Sequence, residues 1–181
     1  MHPRLAELSE HLAHQRRILL DVASAVPGDR WQARPGDAQW TVSEILEHLY
    51  RVDRSVAAVL TKRIARAREA GHPEETETSS VLGTIDALRV SEVDRKLVAP
   101  EPVTPTENAD RETVERLLAE SRAALNAAIA SGDGLALGSI KHTHLRFGEL
   151  DLYQWLLFVA GHEKRHTAQL REVARQLVPA P

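Results

Sequence analysis

At 181 residues the chain is expected to form one domain, residues 1–181, long enough to bury a core without disulfides or a structural metal. It contains no cysteine, which excludes a disulfide framework and thiolate metal ligands and fits a reducing compartment. Its formal net charge of -3 argues against a dedicated nucleic-acid binder, because phosphate contacts require a clustered basic surface.

The opening MHPRLAELSEHL carries charges throughout and lacks the apolar run of a secretory signal. The longest apolar run, Trp155 to Gly161, is far too short to span a bilayer. The expectation is a cytoplasmic protein with no membrane partner.

Four long segments read as helices, and none reads as a strand. The first runs from about Leu5 to Ser24, where Leu5, Leu8, Leu12, Leu19 and Val22 form one apolar stripe before Pro27 and Gly28 end it. A Pro-, Gly- and Asp-rich loop follows, with Trp31 and Trp40 as expected anchors onto the bundle. The second helix opens at Thr41, where Thr41-Val42-Ser43-Glu44 has the form of a capping box, and continues through Ile45, Leu49, Val52, Val56 and Val59 to about Ala70. Gly71-His72-Pro73 stops it.

Residues 74–80 read as a loop, 81–97 as partly helical but interrupted by Gly83, and PEPVTP as an extended connector. The third helix spans about Asp110 to Gly132, with Gly-Asp-Gly at 132–134 breaking it. The fourth starts at Asp151, with Gln154 three residues on, and reaches about Leu177. The predicted fold is all-α: a four-helix bundle with long crossover connections.

The chemistry lies in the histidines. GHEKRH, residues 161–166, satisfies the H-E-x-x-H pattern of zinc proteases. His162 and His166 are four apart on the apolar side of the fourth helix, about 40° apart around its axis, so both imidazoles can point at one ion. The protease reading fails for want of a third ligand. Only fifteen residues follow His166 and they are needed to finish this helix, and no Gly or Pro turns the chain back before Pro179. Glu163 reads as an exposed charge beside Lys164 and Arg165.

The better third ligand is His48, on the second helix among Ile45, Leu49 and Val52, since metal sites in bundles are built from side chains on facing helices. Three neutral nitrogens would leave positions open for water or substrate. Glu44, one turn before His48, and Gln169, three after His166, are candidate outer partners. Either could instead be a cap or a surface residue. Trp155 and Val159 are candidate walls of a pocket. His11 and His14 read as boundary or surface residues, His2 and His72 lie in a terminus and a loop, and His142 and His144 read as connector residues that could overhang the site.

Trp40-Thr41-Val42-Ser43-Glu44-Ile45-Leu46-Glu47-His48-Leu49 resembles the W-[ST]-x-x-E-x-x-x-H-L opening of the DinB-like (YfiT-like) metal-dependent hydrolases. The segment His144 to Leu150 followed by Gln154-Trp155-Leu156 is similar to the one before their last helix, with Leu145 where that family usually has proline. His162-Glu163-Lys164-Arg165-His166 and then Gln169-Leu170 resembles their H-x-x-x-H-x-x-Q-[LI] ending. The likeness spans about residues 5–177, and its specific part is the two histidine segments; residues 71–110 carry no motif.

The resemblance implies a four-helix bundle holding one divalent ion, zinc or nickel, on His48, His162 and His166, often as a homodimer. Relatives in that family include S-transferases and isomerases that use bacillithiol, mycothiol or glutathione. The expected function is therefore a metal-dependent transferase or hydrolase acting on a small molecule, with a low-molecular-weight thiol as partner. The alternative is a non-catalytic metal-binding stress-response module. The sequence assigns no catalytic residue beyond the ligands.

Overall fold

The structure is a computed structural model that describes residues 1–37, 39–92 and 98–178. Four helices dominate it: α1 (Pro3–Ser24), α2 (Val42–Glu69), α3 (Arg111–Ser131) and α4 (Leu152–Leu177). A two-stranded antiparallel hairpin, β1 (Lys141–His144) and β2 (Gly148–Asp151), stands immediately before α4. The hairpin corrects the strand-free expectation. Each strand has four residues, too few to show alternation in a sequence, and the turn is completed by Gly148 at φ 75°, a conformation that side-chain-bearing residues rarely adopt.

Local chemistry fixes the helix starts. Thr41 Oγ1 accepts from the Glu44 amide at 3.1 Å, and the Glu44 carboxylate accepts from the Thr41 amide at 2.8 Å, closing the expected capping box of α2. Asp151 and Gln154 make the same reciprocal pair at the head of α4, at 2.8 and 3.1 Å. Asp110 caps α3 through the Thr113 amide at 2.8 Å.

The helix directions follow from end-to-end contacts. Arg4 lies over the Tyr153 ring and Arg16 meets Glu163, so α1 and α4 run parallel. Thr41 meets Asn108 and Arg68 meets Ser131, so α2 and α3 also run parallel. His48 faces His162 while Arg63 reaches His142, which makes α2 and α4 antiparallel. Residues 70–110 must therefore return along the length of α2, about 40 Å for a helix of its size.

That crossover is irregular. It contains 3-10 turns at Asp86–Leu88 and Glu101–Val103, the second where PEPVTP reads as extended, and it buries Val81, Ile85 and Val90 against the bundle. The last part of the stretch that reads as ambiguous, residues 93–97, lies outside the described residues. No helix among the described residues is long and apolar enough to cross a membrane.

The core falls into two hydrophobic clusters. One gathers Leu5, Leu8, Leu12, Val56, Leu60, Leu125 and Leu156, and the other Leu19, Trp31, Ile45, Leu49, Leu118, Leu170 and Val173. Between them lies a layer of buried polar side chains that includes Arg16, His48, Asp53, Ser121, Glu163, His166 and Thr167. Interrupting a core in this way sacrifices apolar burial and demands a chemical reason.

Candidate metal centre

His48 on α2 and His162 and His166 on α4 meet at one edge of the polar layer. His162 Nε2 lies 3.2 Å from His48 Nε2 and 3.2 Å from His166 Nε2. One nitrogen from each ring lies within 4.8 Å of the others, and the group is the one set among the described residues that could hold a metal ion. The separation of four along α4 stacks two rings on one face, as the sequence predicts, and the antiparallel α2 supplies the third.

The outer nitrogens of two rings are already committed. His48 Nδ1–H donates to the Val103 carbonyl at 2.7 Å, and His166 Nδ1–H donates to Gln169 Oε1 at 2.8 Å. Both Nε2 atoms then present lone pairs to His162 Nε2, which can carry one proton and satisfy only one of them. At least one contact is lone pair against lone pair, unfavourable unless a cation sits among the three. Two imidazole nitrogens held about 2.0–2.1 Å from one tetrahedral ion are about 3.4 Å apart, close to what is seen. Three imidazole nitrogens are a donor set that suits a divalent transition-metal ion.

Burial keeps the rings neutral, as metal ligation requires. It pushes His166 down to about 3, helped by His48, and holds His162 well below the usual imidazole range, helped by His166 and His48. It also lowers His48, against the pull of the Val103 carbonyl. A folded-state pKa below the unfolded value means that the unfolded chain binds the extra proton. Stability is then fully present above about pH 6.5 and is lost as pH falls below it. Chelator-treated protein is expected to lose stability between about pH 7.5 and 5.5, His166 alone supplying about 1 kcal/mol of that loss. Denaturant titrations at the two pH values check this; an unchanged or rising stability would contradict it.

Aromatic rings close around the histidines. Trp40 packs on His48 at 5.0 Å and stacks on His166 at 6.3 Å, and Phe158 stacks on His162 at 5.3 Å. Trp40 is thus more than an anchor onto the bundle. Trp155 packs against His144 and donates to the His142 carbonyl at 3.1 Å, and Val159 is buried in the core.

Other expectations sort themselves. Gln169 is an outer partner, whereas Glu44 is spent on the capping box and Arg34. His144 sits in the hairpin, where its Nδ1 accepts from the Arg146 and Phe147 amides and its ring packs on Phe158 at 4.6 Å. His142 Nδ1 accepts from Arg63 at 2.7 Å. His14 is exposed and His11 half-buried, and neither belongs to the group of three.

Glu163 requires a correction. It is fully buried, not an exposed charge, and turns away from the histidines toward Arg16 of α1 and Arg122 of α3. A step of one residue rotates it about 100° from His162, into the contact of α4 with α1. Its commitment to two guanidiniums also removes it as a protease-type base.

A bundle that brings three histidines together from two facing helices has the arrangement from which metal sites in helical bundles are built. The chain belongs to the DinB superfamily, whose model matches residues 11–170. It is similar to the uncharacterized protein YuaE of Bacillus subtilis (strain 168), with 28% identity over 152 residues, covering 82% of this chain and 86% of that one. Its fold is similar to the crystal structure of TT2238, described as a four-helix bundle protein. The TM-score is 0.62 at 22% identity, covering 93% of this chain and 98% of that one.

Proposed function

We propose that residues 1–181 form one DinB-like domain that holds a divalent ion, zinc or nickel, on His48, His162 and His166. Its proposed activity is transfer of a low-molecular-weight thiol to a small electrophile, with hydrolysis of a small molecule as the related chemistry of the same site. The observation that carries the reading is the convergence of three Nε2 atoms, two of them with their outer nitrogens already fixed. A divalent ion at such a position lowers the pKa of water or of a thiol beside it and so supplies an anionic nucleophile near neutral pH.

The chain's own residues do the rest. Val103 and Gln169 hold the rings of His48 and His166 with Nε2 inward. Trp40 and Phe158 shield the nitrogens from bulk water, which strengthens charge interactions there. Three neutral ligands leave the charge of a divalent ion uncompensated, favouring an anionic fourth partner such as a thiolate. With no cysteine in the chain, the sulfur must come from a co-substrate.

Metal-loaded protein incubated with bacillithiol, mycothiol or glutathione and an electrophilic aryl halide is expected to consume thiol, and chelation is expected to abolish the reaction. Stoichiometric metal with no turnover for any thiol or hydrolysable ester would favour the non-catalytic module instead.

A further inference from the structure

The polar layer that holds the histidines also holds four charges, one from each helix: Arg16 of α1, Asp53 of α2, Arg122 of α3 and Glu163 of α4. Arg16 donates to Glu163 at 2.8 Å through Nε and to Asp53 at 2.8 Å through Nη2. Arg122 Nη2 meets the same Glu163 oxygen, and its Nε lies 3.3 Å from Asp53. The carboxylates of Asp53 and Glu163 are each 1% exposed, and the side chains of Arg16 and Arg122 are 9% and 13% exposed, so the cluster is largely withdrawn from water.

Such a cluster is a poor device for stability alone. Desolvating four charges offsets most of their mutual attraction, and well-packed apolar side chains of similar size do as well or better. Here Glu163 Oε2 and Arg122 Nη1 are also buried without a protein hydrogen-bond partner. What the cluster does supply is register. Glu163 is the residue after His162, and Asp53 lies on α2 five residues beyond His48. The two arginines clamp together the turns of α2 and α4 from which the imidazoles project. They do so from α1 and α3, helices that carry no histidine of the site.

We infer that the Arg16–Asp53–Arg122–Glu163 cluster positions the metal centre, fixing α2 against α4 so that His48 meets His162 and His166. The four are positioning residues: none touches the histidine nitrogens. The inference rests on the metal-binding reading above, and its test separates the two.

Cobalt(II) is the probe, because its visible absorption bands report the geometry of its ligands. Glu163→Gln keeps the shape of the side chain and removes its charge. Arg122→Lys keeps all four charges, loses the planar fork, and acts from α3, so its effect on the site must pass through Glu163 or Asp53. Both are expected to bind cobalt about tenfold or more weakly than wild type, with displaced visible bands, at a temperature where helical circular dichroism is unchanged.

Glu75→Gln is the control for lost stability alone. That buried carboxylate accepts from Tyr153 and Arg4 at the far end of the bundle, and its variant is expected to melt lower while keeping wild-type cobalt affinity and bands. If Glu163→Gln and Arg122→Lys behave like Glu75→Gln, or if Arg122→Lys folds and binds as wild type, the positioning role is overturned. Failure of wild type to bind cobalt would instead overturn the metal site itself.

Discussion

Replacing His162 with alanine is expected to abolish tight metal binding while leaving the bundle folded. Its Nε2 is the central atom of the group, within 3.2 Å of the Nε2 atoms of both His48 and His166. Loss of an outer partner of a metal ligand typically weakens binding about 10–100-fold, and loss of the central ligand should exceed that range. Among the described residues His162 Nε2 has hydrogen-bonding neighbours only in the other two rings, so its removal strands no group there except their lone pairs. Competition with a chelating dye measures the affinity, and circular dichroism measures the fold. His14→Ala, at an exposed position, is the matched control and should bind as wild type.

The second large effect concerns stability. Arg16→Met is expected to destabilise the metal-free protein by about 3–5 kcal/mol, because it leaves two buried carboxylates facing one guanidinium. For a chain of this size each kcal/mol lowers the melting temperature by about 2–4 °C, so a fall on the order of 10 °C should be seen. Arg116→Ala removes an arginine from an exposed pair with Glu120 and should change stability by less than about 1 kcal/mol. Denaturant unfolding of both variants decides the comparison; similar small losses would show that the buried cluster carries no special energetic weight.

The two effects explain which parts of the molecule can be read from its sequence. The histidine group is legible because helical periodicity places His162 and His166 on one face and His48 among apolar neighbours. The capping residues mark the helix starts. Glu163 is misread because α4 has two buried faces: one meets α2 and carries the histidines, the other meets α1. A single apolar stripe does not describe such a helix, and the neighbouring Lys164 and Arg165 make the position look solvated.

A signal for the cluster does exist. Arg16 falls between Leu12 and Leu19 on the stripe of α1 and is buried with them. A charged residue at a core register of one helix implies a buried counter-charge on another, although the sequence alone does not say which. The Val103 carbonyl that orients His48 comes from an irregular crossover, where no periodicity exists to read. The hairpin is too short to declare itself.

The central claim is that three histidines from α2 and α4 hold one divalent ion. Elemental analysis of the purified wild-type protein alongside the His48→Ala variant tests it most directly. The expected result is close to one equivalent of zinc or nickel per wild-type chain and little or none in the variant. Full metal content in His48→Ala, or no divalent metal taken up by wild type even after incubation with excess zinc and nickel, would contradict it.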